Sequence, residues 1–168
     1  MAKPSKTLQD LFHETLKDIY FAEKKILASA PKMAKSAQTM ELREAFEKHE
    51  QETEGQVERL DPVFSLIEQP ARGKRCEAIN GIADEAKDIM KEFKQSPALD
   101  AGLIASAQAV EHYEIARYGT LKAWAEELGL EEAVELLDQT LEEEKRTDVT
   151  LTQRALGAAN QEAQRAAE

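Results

Sequence analysis

The stretch LIASAQAVEHYEIARYGTL, residues 103–121, sets the architecture. Leu103, Ala107, Val110 and Leu121 recur at helical spacings, so the segment reads as the middle of a long amphipathic helix. Its seam is not wholly apolar. Glu111 and Glu114 also fall on it, one turn apart. An ionised carboxylate taken out of water costs several kcal/mol unless a counter-charge or a metal compensates it. The helix therefore carries both a core and a question about chemistry.

Working outward, Ser96 followed by Pro97 is a start signal, with Ser as N-cap and Pro at the first helical position, and Gly129 is the stop. The next helix opens at Leu130 with Glu131 and Glu132 in its first turn, and its stripe is Val134, Leu137, Leu141, Leu151 and Ala155. Upstream, a helix capped by Thr7 carries Leu8, Phe12, Leu16, Ile19, Ile26, Leu27, Ala30 and Ala34 and ends near Ala37. A second, capped at Thr39, carries Leu42, Ala45, Phe46, Val57, Leu60, Val63 and Phe64. Pro31 and Pro62 lie inside these two patterns, and the period resumes beyond each. Residues 69–75 break the period as a loop. A shorter helix follows, with Cys76, Ile79, Ala83, Ala86, Met90 and Phe93 on its apolar face.

The turns near residues 38 and 129 are tight and force antiparallel helix pairs, while roughly thirty residues join the pairs. The expected fold is all-α: an antiparallel four-helix bundle with one long crossover carrying a short fifth helix. The bundle domain spans 1–157. Residues 158–168 are mostly Ala, Gln and Glu, without an apolar stripe, and are expected to fray.

Composition agrees. With 33% charged residues but only 7 Gly and 5 Pro among 168, the chain lacks the turn-rich rhythm of an all-β protein. Its formal charge of −11 repels phosphate backbones and anionic membrane surfaces, so neither nucleic acid nor membrane is an expected partner. Cys76 is the sole cysteine, which excludes an intrachain disulfide and a thiolate metal cluster. With no apolar signal core and no membrane-length span, a cytoplasmic location is expected.

Heights along the bundle connect the acids. Glu23 is 14 residues before Ala37 and Glu52 is 13 after Thr39; Glu114 is 15 before Gly129 and Glu144 is 14 after Leu130. All four lie roughly 20 to 22 Å from their turns. The halves also echo each other, Glu52 to Val57 matching Glu144 to Val149, as an internal duplication would produce. His49, Gln56, Glu111 and Asp148 each stand one turn from one of these glutamates and face the same way. Such oxygen donors, with one imidazole, suit two iron or manganese ions better than zinc, leaving positions open for oxygen or peroxide. A competing reading neutralises the acids without metal, through Lys24, Arg117, Lys145 or the hydroxyls of Tyr113 or Tyr118. His13 and His112 fall off the seam, and Tyr20, Phe21 and Trp124 read as core or interface.

The segments at residues 20–25, 49–57, 110–116 and 141–148 resemble the ferritin-like YciE/YciF type of bacterial stress proteins, over about Thr7 to Leu156. The resemblance implies a dimeric ferritin-like bundle with a di-iron site, in which Glu23, Glu52, Glu114 and Glu144 are ligands. Glu111 is an extra one, because Glu111-x-x-Glu114 is similar to the third-helix carboxylates of rubrerythrin. Ferritin-like di-iron proteins carry Glu-x-x-His on the second and fourth helices. Here Gly55 and Thr147 take the histidine places, which leaves His49, Gln56 and Asp148 as substitutes. The expected function is oxidation of Fe(II) with oxygen or peroxide in the stress response. The alternatives are a metal-free helical stress protein acting through dimerisation and partner binding, and an adaptor bundle for another enzyme.

Overall fold

A computed structural model describes residues 5–165. Among these the chain forms α1 (Leu8–Ser36), α2 (Met40–Leu66), α3 (Glu77–Glu92), α4 (Leu99–Glu127) and α5 (Glu131–Arg154). A π-helical turn (Ala155–Ala159) leads into α6 (Asn160–Arg165). The helix α1 packs chiefly on α2 and α4 on α5, while α2 with α5 and α1 with α4 close the bundle; α3 lies against α4 and α1. This is the antiparallel four-helix bundle with a crossover helix that the apolar periodicity implies.

Local chemistry fixes the ends. Thr7 Oγ1 accepts from the Asp10 N–H at 3.2 Å while Asp10 Oδ2 accepts from the Thr7 N–H at 2.8 Å, a reciprocal capping box. At the other hairpin Gly129 takes φ 69°, and the Leu130 N–H returns to the Ala125 carbonyl at 2.9 Å. A glycine tolerates that left-handed turn at no steric cost. Thr39 stands at the N-cap of α2, but its hydroxyl leaves its own helix and donates to Asp100 Oδ2 at 2.7 Å. Asp100 also accepts from the Gln38 and Thr39 N–H groups, tying the start of α4 to the α1–α2 turn.

One sequence expectation shifts. The long helix begins at Leu99 rather than Pro97, because Ser96 caps a preceding turn, its hydroxyl accepting from the Ala98 N–H at 3.2 Å. Beyond Gly157 the described chain is helical to Arg165, and Ala159 is buried against the core beside Leu151. The last three residues of that tail lie outside the described residues.

The crossover is pinned to α1. The Lys74 N–H donates to the Lys17 carbonyl at 3.1 Å, the Lys74 ammonium to Glu14 at 3.0 Å, and Gly73 lies against the backbone of Phe21. The core falls into two clusters. One gathers Phe12, Leu16, Phe64, Leu121 and Leu137; the other gathers Ala34, Leu42, Phe46, Leu103 and Leu151. What interrupts it is a polar layer at mid-height.

Candidate metal centre

The seam of α4 runs Leu103, Ala107, Glu111, Glu114, Tyr118, Leu121, all buried. The helical period that makes the core thus delivers two carboxyls and a phenol into it. From α1 comes Glu23 and from α5 comes Glu144, each fully buried. From α2 the seam between Phe46 and Leu60 passes through His49, Thr53 and Gln56, of which Thr53 and Gln56 are fully buried. His49, Glu111, Glu114 and Glu144 each present a ligand atom within 4.8 Å of the others.

The hydrogen bonding is lopsided. Gln56 donates to Glu144 Oε1, and Tyr118 donates to Glu23 Oε1. One oxygen each of Glu23, Glu111 and Glu144, both oxygens of Glu114, and both ring nitrogens of His49 are buried without a hydrogen-bond partner. Native interiors leave only a few such atoms unsatisfied per hundred residues, and those are usually scattered. Here they converge.

Burial sets the electrostatics. Desolvation first, then the charge of Glu144, pushes the Glu23 carboxyl up to about 8, against the opposing bond from Tyr118. Desolvation also drives Glu111 well above the ordinary range, aided by Glu144, and does the same to Glu114, aided by Glu23 and Glu144. Without a bound cation the layer holds protons; a divalent cation would replace them.

None of the three cations weighed from the sequence neutralises the layer. Lys24 sits over the Tyr20 ring, Arg117 over the Tyr113 ring, and Lys145 pairs with Glu142 at 2.7 Å. Tyr113 turns to Cys76, with its oxygen 3.1 Å from Sγ. Of the two tyrosines only Tyr118 reaches the acids.

Six of the eight residues singled out in the sequence are brought to this level: Glu23, His49, Gln56, Glu111, Glu114 and Glu144. Two are not. Glu52 is half-buried and pairs with Lys48 at 3.3 Å on the rim of a cleft, because the α2 seam passes one residue further on, through Thr53. A step of one residue turns a side chain by about 100° around a helix. Asp148 is half-buried and turned to other partners, accepting from Gln108 at 3.0 Å, with His112 Nε2 at 3.2 Å.

The sequence reading missed a supporting pair. Arg59 grips Glu143 through two bonds of 3.0 Å and donates to Thr140 at 2.6 Å. Burial raises the Glu143 carboxyl, but Arg59 and Gln56 more than reverse this and leave it below its usual range. Because Gln56 donates to both Glu143 and Glu144, the ion pair fixes the amide that orients a candidate ligand. The signal was present: Arg59 is one turn beyond Gln56, and Glu143 adjoins Glu144.

Residues 7–164 match the family model described as a domain of unknown function, DUF892. The chain is 42% identical to Protein YciF of Escherichia coli K12 over 160 residues, covering 95% of this chain and 96% of that protein. The crystal structure of the E. coli stress protein YciF aligns with a TM-score of 0.88 over 93% of this chain and 99% of that one. YcfI from Rhodopseudomonas palustris aligns at 0.86 with 44% identity, over 90% of this chain and 97% of that one. A Xanthomonas campestris protein at 20% identity and a TM-score of 0.74 shares the fold. The chain belongs to the DUF892 family, with YciF as a close relative.

Proposed function

We propose that this DUF892 member is a carboxylate-bridged metalloprotein of the stress response, binding two iron or manganese ions and oxidising Fe(II) with oxygen or peroxide. The observation that carries this reading is the set of carboxylate oxygens without hydrogen-bond partners on Glu23, Glu111, Glu114 and Glu144, at one level with the ring of His49, whose Nε2 lies 3.5 Å from Glu111 Oε1. Anionic oxygens with a single imidazole suit iron or manganese. His49, Glu111, Glu114 and Glu144, whose ligand atoms lie together, would hold the metal, with Glu23 as a further carboxylate donor at the same level. Bound there, two Fe(II) would give up one electron each, and one hydrogen peroxide with two protons would leave as two waters.

The protein's own part is positioning. Tyr118 holds one oxygen of Glu23, leaving the other free, and Gln56 does the same for Glu144. The apolar clusters above and below close the layer along the bundle axis and lower the local dielectric, which strengthens charge interactions there. YciF is called a stress protein, which supports the stress role, and the buried lone Cys76 fits a reducing cytoplasm.

Anaerobic Fe(II) titration with metal analysis tests the proposal. Two iron per chain are expected, with loss of uptake in Glu114→Gln and Glu144→Gln. Absence of stoichiometric uptake by the wild-type chain would overturn it. A second reading, a metal-free bundle acting as a homodimer, is favoured by one observation: burial raises Glu23 to about 8 and moves Glu111 and Glu114 the same way, so protons can stand in for metal.

A further inference from the structure

The layer is flanked by a pocket that coordination of ions does not require. Between α1, α3 and α4 lies a cavity of about 220 Å³, walled by Ile26, Ala83, Ala86, Met90, Ala107 and Val110. It exists because alanines on facing helices leave space that larger side chains would fill. Its inner end is His49 and Glu111, the latter 1% exposed with an unpartnered Oε2; its outer end carries Lys25, Lys32 and Lys87. Lys87 is satisfied by Asp84 at 2.6 Å, whereas Lys25 and Lys32 have no ion-pair partner among the described residues.

Size and charge select the ligand. An apolar cavity of about 150 Å³ stays dry and takes up benzene, so this one accommodates a chain of roughly eight to ten carbons, far more than dioxygen needs. Ions and water have another way to the layer: a second cleft reaches the same His49 and Glu111 from the side of Lys48, Glu52, Arg146 and Arg154. Two unpaired ammonium groups at the mouth of an apolar slot on a strongly acidic protein favour one anionic head.

We propose that this pocket binds a medium-chain aliphatic carboxylate, its head at Lys25 and Lys32 and its chain directed between α1, α3 and α4 toward His49 and Glu111. The pocket is formed by the bundle itself, so binding does not depend on the metal assignment.

The test is calorimetric titration of the metal-free full-length chain with decanoate below its micellar range, with 1-decanol as the neutral comparison. Saturable binding of one decanoate per chain is expected, weakened about tenfold or more in Lys25→Glu/Lys32→Glu and in Ala83→Phe, and for decanol. Circular dichroism and melting confirm that the variants fold, and the lysine pair, lying outside the core, keeps the test decisive if Ala83→Phe does not. Absence of saturable decanoate binding, decanol binding as tightly, or affinity unchanged in the folded variants overturns the proposal. Because metal is left out of the titration, its result and the iron titration fail or succeed separately.

Discussion

The phenol of Tyr118 on α4 donates to Glu23 Oε1 on α1, with both side chains fully buried, 95 residues apart in sequence. Removing the hydroxyl leaves a second Glu23 oxygen without a partner. Tyr118→Phe is therefore expected to lower the stability of the metal-free chain by about 1–3 kcal/mol in urea unfolding. It should also push the Glu23 carboxyl further up, since that bond is the largest of the influences that hold it down. A variant as stable as wild type would show that the bond contributes nothing.

The raised acids predict an unusual pH profile. Glu23, with an ordinary value of 4.5 and a folded value of about 8, keeps its proton in the native state where the unfolded chain has released it. Its contribution to stability is fully present below the unfolded value and is lost as pH rises through the folded one. Glu111 and Glu114 shift in the same direction. Metal-free protein should thus melt at progressively lower temperature from about pH 5 to pH 8, as scanning calorimetry would show. Glu23→Gln flattens the trend, and saturating Mn(II) reverses it by displacing the protons.

The rim position of Glu52 gives a discriminating comparison. Glu114→Gln, at the centre of the layer, should weaken iron uptake tenfold or more, whereas Glu52→Gln, facing Lys48, should leave it within about twofold. Equal losses would mean that α2 turns Glu52 inward when metal binds.

Arg59 and Glu143 form a mostly buried, doubly bonded pair. Arg59→Met strands the carboxylate and is expected to cost about 3 kcal/mol, while Arg59→Met/Glu143→Leu should recover much of it. Denaturant unfolding of the full double-mutant cycle reads this directly. If the pair also sets the Gln56 amide, the recovered double variant will still bind metal more weakly than wild type.

Gly102 sits inside α4, where alanine would normally gain about 1 kcal/mol of helix propensity. A Cβ there would lie 2.7 Å from Ile89 Cγ2 on α3, a branched methyl with little room to turn. Overpacking of this kind costs about 1–3 kcal/mol. Gly102→Ala should therefore destabilise, and Gly102→Ala/Ile89→Ala should lose less than the sum of the two single changes.

The sequence alone determined the helices and their pairing, because apolar residues at a 3.6 period, a Thr7 cap and a Gly129 stop act within a turn or two of chain. It also marked Glu23, Glu111, Glu114 and Glu144, since charge on an apolar seam is visible wherever the period is clear. Counting residues from the turns gave each acid its height along the bundle but not its direction around the helix, and so Glu52 was placed inside when His49, Thr53 and Gln56 hold that seam. Only packing decided this, together with the choice of Tyr118 over Tyr113, the Arg59–Glu143 brace and the pocket behind Glu111. Each depends on how one helix is rotated against another, and that rotation is set by side-chain volumes from distant segments meeting in the core, information no local pattern carries.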